Sequence, residues 1–179
     1  MAAPYRVVLI GPESTGKTTL ARELAAATGG LWVPEAARLV AERATTGLSA
    51  ATVEPIARLA LALDDAARAS SARTVVYDTD LVSTVVYARH YYGSCPDWIL
   101  AEARARRADR YLLCVPDLPW HADGIRDRPA ARTTLFRAFF EAVDAIGARP
   151  ALVSGTGAGR LAAARAGLAA GRALTRRPY

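Results

Sequence analysis

The segment Gly11-Pro12-Glu13-Ser14-Thr15-Gly16-Lys17-Thr18 constrains this chain more than any other, because it obliges a strand to end and a helix to begin around one crowded turn. Gly at the first and sixth places, followed by Lys and a hydroxyl residue, is the pattern of a phosphate-binding loop. The glycines let the backbone curl so that successive N–H groups converge on anionic oxygens, at a helix N-terminus whose dipole favours negative charge. A chance match in a chain of this length is expected on the order of one time in a hundred or less. The flanks agree with the motif. Tyr5 to Ile10 is a β-branched apolar run that reads as a buried strand, and Lys17 to Thr28 reads as a helix stopped by Gly29-Gly30.

The loop assigns ligands by residue type. Gly11, Glu13, Ser14, Thr15, Gly16 and Thr19 are expected around the phosphates of ATP. Lys17 reaches the β- and γ-phosphates, and the Thr18 hydroxyl ligates magnesium. Lys17 is the only lysine among 23 basic residues. Arginine stands wherever either type would serve, so this position calls for a compact ammonium.

Further along, Leu31-Trp32-Val33 predicts a second strand, with a helix over Glu35 to Ala44 and a long Ala/Leu helix reaching about Ser70. Arg73 to Tyr77 predicts a third strand, and helices are expected over Leu81 to Tyr92 and from Pro96 to about Ala108. Arg110 to Val115 is the fourth strand, Arg132 to Ile146 a helix, Ala151 to Ser154 the fifth strand, and an Ala/Gly-rich helix ends the chain. Short strands alternating with helices mean crossover units, hence a parallel sheet covered on both faces. The expectation is an α/β domain over residues 1–179, with five parallel strands and a lid loop at about 116–132. A loop that long inside a compact domain is usually functional.

Strands of such a sheet deliver their carboxyl ends to one crevice. Asp78 and Asp80 close the third strand beside the phosphate loop. One can hold magnesium with Thr18 and the other can accept a proton from an attacking hydroxyl, with either assignment open; Asp78 is the candidate metal partner. In the long loop, Arg126 and Arg132 are candidates to neutralise the transferred phosphoryl group as the loop closes. Trp120 lies in the same segment. Glu35 and Arg38, at the end of the second strand and three apart on one helical face, are candidate acceptor contacts.

Bulk properties narrow the class. At 52% hydrophobic content the chain builds a sizeable core, and no window of eighteen or more apolar residues suggests a membrane span. The N-terminus lacks a signal-peptide pattern, so a soluble cytoplasmic protein is expected. Cys95 and Cys114 provide neither a disulfide framework nor a metal site. The net charge of +6 is spread along the chain without a basic tail, so an anionic small ligand, not nucleic acid or a membrane, is the expected partner.

Taken together, GPESTGKTTL, the WVPEAAR run, VVYDTD and PWHADGIRD resemble the nicotinamide riboside kinase domain of NadR-type proteins, in order and spacing, from Val7 to about Arg165. The resemblance implies a nucleoside-monophosphate-kinase-like fold. It also implies transfer of the ATP γ-phosphate to the ribose 5′-hydroxyl of nicotinamide riboside. It places Gly155 and Arg160 near the adenine and Asp123 of the lid motif among the acceptor contacts. The larger NadR proteins carry additional domains for which this chain has no room. One segment departs from the family: where Gln and an aromatic residue often stand before DTD, this chain reads Leu59 to Asp64. Ring recognition then falls to Trp32, Tyr87 or Trp120, with Glu35 or Asp64 as counter-charge. Two other classes share these residues: a kinase for another nucleoside or small alcohol, and an ATP-binding regulatory NTPase. No Asn-Lys-x-Asp guanine motif is present.

Overall fold

The computed structural model describes residues 3–44, 47–120 and 131–175, the side chains as far as 171. Five parallel strands, β1 (Tyr5–Ile10), β2 (Leu31–Val33), β3 (Thr74–Asp78), β4 (Arg110–Cys114) and β5 (Ala151–Val153), form one sheet in the order β2-β3-β1-β4-β5. Between them run α1 (Lys17–Thr28), α2 (Ala36–Ala41), α3 (Val53–Ala69), α4 (Leu81–Tyr92), α5 (Asp97–Ala105), α6 (Arg132–Ala145) and α7 (Gly157–Thr175). The predicted order of elements stands, with small shifts at the ends. Helix α2 starts at Ala36, with Glu35 as its extended N-cap, and β3 runs one residue further, so that Asp78 is its last member.

The central strands are apolar on both faces because both faces are covered. Val8, Ile10, Val75, Tyr77, Tyr111 and Leu113 point into a core closed by α3, α4, α5 and α6, where Phe139 and Ile99 are fully buried. The alternate residues Val7, Leu9, Val76, Leu112 and Cys114 meet α1 and α7 through Leu20, Leu24 and Ala164. Each fully buried aliphatic side chain contributes roughly 1.5–3 kcal/mol relative to exposure. The cysteines are free, and burial raises the pKa of both thiols.

Strand alternation explains how the sheet sorts its functional side chains. Asp78 has the parity of Val76 and is drawn to the α1 side, where it lies beside Thr18 and Lys17. Continued alternation would put Asp80 there too. Thr79 prevents it: its φ of 69° is left-handed, and its N–H donates to the Leu9 carbonyl at 3.0 Å. The chain thereby turns Asp80 to the other face. A β-branched residue held in this region costs on the order of 1–2 kcal/mol. Thr79→Gly should therefore raise the unfolding free energy, read from a higher denaturant midpoint, by at most about 1 kcal/mol once the extra freedom of unfolded glycine is subtracted. A lowered midpoint would show that the Thr79 side chain contributes more than the strain removes.

Candidate active site

The phosphate loop leaves β1 at Gly11, whose φ is 139° and where an added Cβ would lie 2.8 Å from the Cys114 carbonyl oxygen. Only glycine lets the ends of β1 and β4 approach this closely. Gly16, at φ 72°, then turns the chain into α1. Within the loop, the Thr15 hydroxyl donates to the Pro12 carbonyl at 2.9 Å. The Lys17 ammonium, mostly buried, donates to the same oxygen at 2.7 Å. The lysine is thus folded back on its own loop, held by one neutral acceptor.

Other elements grip the loop from several directions. The Tyr87 hydroxyl of α4 donates to the Gly11 carbonyl at 3.4 Å, and Tyr91 one turn later donates to Glu13 Oε1 at 2.6 Å. Arg132, at the start of α6, donates to the Ser14 carbonyl at 3.2 Å and to the Leu118 carbonyl at 3.0 Å. Arg160 of α7 is 4% exposed and donates to the carbonyls of Thr15, Val115 and Gly155 at 2.8, 3.0 and 2.8 Å. It also donates to Asp117 Oδ1 at 2.7 Å, while Asp117 Oδ2 accepts from the Gly155 N–H at 2.6 Å. Arg160 therefore ties the phosphate loop to the loops after β4 and β5. Asp117 was missed by the sequence reading; an acid just past a strand end, with a later arginine to pair, was the available signal.

Asp78 is 1% exposed, and neither carboxylate oxygen makes a well-formed hydrogen bond. Burial pushes its pKa up and the Glu35 carboxylate adds to this, while the Thr18 hydroxyl, Lys17 and Arg38 pull it back in part. A buried, unsatisfied carboxylate beside a threonine hydroxyl at a phosphate loop fits a hydrated magnesium ion, which takes one or two protein ligands plus substrate phosphates. No cluster of three or more His, Cys, Asp or Glu that could hold a metal occurs among the described residues.

Asp80 has a different position. One oxygen accepts from the Val82 N–H at 3.0 Å as the N-cap of α4, and the other accepts from the Tyr111 hydroxyl at 2.8 Å. Burial raises its pKa to about 6 against the lowering effect of Tyr111 and Val82. Both oxygens are engaged with the fold, so the alternatives left open for the pair divide on geometry, with Asp78 at the phosphate loop and Asp80 at the helix cap.

A cavity of about 360 Å³ opens on the α3/α4 side of the sheet, within the range of small-molecule sites. Glu35, Thr79, Asp80, Tyr87 and Tyr91 line it from the strand ends and α4, and Val53, Ile56 and Leu61 from α3. Glu35 is 8% exposed on its wall, whereas Arg38 acts on Asp78 from outside the lining. Trp32 is not among the lining residues. It points to the opposite face of the sheet, packed with the α1 core, and the Arg22 guanidinium covers its ring at 4.4 Å. Trp120 is half-buried and also outside the lining. Asp64 reaches the cavity but is committed elsewhere. It accepts from Tyr77 at 2.8 Å and Arg68 at 2.7 Å and pairs with Arg106 at 3.2 Å and Arg6 at 3.5 Å. Burial raises its pKa, but Tyr77, Arg68 and Arg106 outweigh this and hold it below the ordinary carboxylate value. Asp123 and Arg126 lie outside the described residues.

A curled loop at the first strand, an orphaned carboxylate at the neighbouring strand end and the 2-3-1-4-5 parallel sheet define a P-loop α/β domain. Residues 6–160 match the AAA domain family, and the chain belongs to it. Among solved structures it is similar to a NadR protein in complex with NAD and AMP-PNP, at TM-score 0.79 and 19% identity, covering 98% of this chain and 51% of that one. A NadR protein in complex with NR matches at TM-score 0.71 and 22% identity, over 92% of this chain and 51% of the other. Thymidylate kinase from Ehrlichia chaffeensis matches at TM-score 0.64 and 14% identity, over 97% and 100%. The chain spans about half the length of the NadR structures. No curated protein matches it. At these identities the likeness establishes the fold. No helix among the described residues is long and apolar enough to cross a membrane.

Proposed function

We propose that this chain is an ATP-dependent kinase whose acceptor is nicotinamide riboside, phosphorylated on its ribose 5′-hydroxyl to nicotinamide mononucleotide. The observation that carries the proposal is a nucleoside-sized cavity whose lining residues Tyr87 and Tyr91 donate to Gly11 and Glu13 of the phosphate loop, which also lies beside the buried Asp78 carboxylate. The choice of acceptor is supported by the motif resemblance and by the fold shared with NadR.

The loop N–H groups and Lys17 bind the ATP phosphates, and Lys17 exchanges the Pro12 carbonyl for a phosphate oxygen. Thr18 and Asp78 would hold magnesium, which when bound neutralises charge on the β- and γ-phosphates. Asp80, expected as the alternative proton acceptor, has both oxygens engaged by Val82 and Tyr111, so the role passes to Glu35 on the cavity wall, which receives the hydrogen of the acceptor hydroxyl. The acceptor oxygen bonds to the γ-phosphorus as its bond to the β–γ bridging oxygen breaks, ADP leaves, and the hydroxyl proton is taken by that carboxylate. Arg132, already at the loop, and Arg126 of the lid segment neutralise the transferred group. Gly155 and Arg160 act by shaping the loops around the nucleotide, since the terminal nitrogens of Arg160 are engaged with protein acceptors.

Coupled ADP release tests this reading with nicotinamide riboside, uridine, cytidine and adenosine as acceptors. The riboside should show the highest kcat/KM. Another nucleoside turned over at least about tenfold better would mean that the Leu59 to Asp64 helix has redirected specificity. ATP bound tightly without transfer to any acceptor would leave a nucleotide-dependent switch.

A further inference from the structure

Helix α4 presents Ser83, Tyr87 and Tyr91 to the cavity at successive four-residue steps, so the three share one stripe. From Ser83 to Tyr91 the stripe rises through eight residue steps, about 12 Å at the helical rise. At its upper end the tyrosine hydroxyls reach the phosphate loop through Gly11 and Glu13. One turn before Ser83, Asp80 has both oxygens engaged by Val82 and Tyr111. Ser83 differs from all of these. It is 4% exposed, and its Oγ has no hydrogen-bond partner. A helical serine ordinarily bonds back to a carbonyl of the preceding turn, and an unpaired buried hydroxyl is unfavourable. Val53, Ile56, Ala60, Leu61 and Leu63 supply apolar parts of the lining, and the polar residues that also line the cavity, such as Thr52 and Asp64, make no hydrogen bond to Ser83.

We propose that Ser83 is a specificity residue whose hydroxyl hydrogen-bonds a neutral polar group, such as a carboxamide, at the end of the acceptor remote from the phosphorylated hydroxyl. The inference rests on the acceptor-kinase reading above and deepens it. The stripe selects molecules of about nucleoside length, polar at both ends with a flat ring between, its face lying against the apolar side chains of α3. A site built to bond a polar group rejects the analogue lacking it, because the buried partner is then left unpaired.

The test compares nicotinamide riboside with the pyridine riboside that lacks the carboxamide, on wild type, Ser83→Ala and Ser83→Cys. Wild type should lose at least about tenfold in kcat/KM when the amide is removed, and Ser83→Ala less than about threefold, with Ser83→Cys between them. In Ser83→Ala the KM for nicotinamide riboside should rise while that for ATP stays within about twofold. Wild type turning over both ribosides within about threefold would overturn the assignment, as would Ser83→Ala discriminating as strongly as wild type. If nicotinamide riboside is not phosphorylated, that outcome falls on the acceptor choice. The same comparison is then made with the best nucleoside, with and without the polar substituent of its base, and the same thresholds decide for or against Ser83.

Discussion

Lys17→Ala is expected to lower turnover by about two to three orders of magnitude, measured as ADP release at saturating ATP and acceptor. The ammonium of Lys17 sits in the loop with a single neutral acceptor, the Pro12 carbonyl at 2.7 Å, so it is positioned at low cost to move onto a phosphate oxygen. Its attraction grows as negative charge develops on the oxygens of the transferred and departing groups, and a contact that strengthens in the transition state appears in kcat more than in KM. Arginine should not restore the activity. Lys17 is mostly buried beneath a loop whose first glycine already lies close to the Cys114 carbonyl, and a planar fork is larger than the ammonium it would replace. The composition makes the same point, because arginine fills every other basic position. Near-normal turnover in Lys17→Ala would falsify the assignment of this loop as the phosphate site.

The parts legible in the sequence were those governed by local rules. The β1, loop and α1 succession follows from an apolar run, two glycines and a hydroxyl-rich helix start. The parallel sheet follows from the alternation of strands and helices. What escaped were features in which one residue redirects others. The spacing of Asp78 and Asp80 by two implied a shared face, and the left-handed Thr79, a residue with no intrinsic preference for that conformation, separates them. Trp32 lies away from the cavity for a local reason, since period-two alternation from Val33, which lines the cavity, sends its neighbour to the α1 face. Arg160 was expected beside the adenine. Its bonds to the Thr15 and Val115 carbonyls depend on tertiary proximity that no local pattern encodes. The Ser83 hydroxyl was likewise invisible, because its lack of a partner is a property of the packed cavity.

Asp78→Asn is expected to cripple catalysis while making the unliganded protein more stable. The carboxylate is buried without a well-formed hydrogen bond, and its pKa is raised first by burial and then by Glu35. A raised folded-state pKa means that the native protein binds the proton more tightly than the unfolded chain does. The linked stability is fully present below the unfolded carboxylate value and is lost as pH rises through the folded value. At neutral pH the wild type therefore carries this penalty and the amide does not. Without nucleotide or metal, Asp78→Asn should melt higher, by about 2–4 °C for each 1 kcal/mol relieved in a chain of this size, and the difference should shrink as pH falls below the ordinary carboxylate range. Adding ATP and magnesium should reverse the order, because a ligand that binds only the native state stabilises in proportion to its affinity and the variant has lost one metal partner. Turnover at moderate magnesium should fall by at least about a hundredfold, and excess magnesium should recover part of it if Asp78 acts through the metal. An unchanged melting point together with full activity would make Asp78 a passive strand end. A lower melting point at neutral pH in the unliganded variant would mean that the carboxylate is satisfied in the fold and is not held in reserve for the ion.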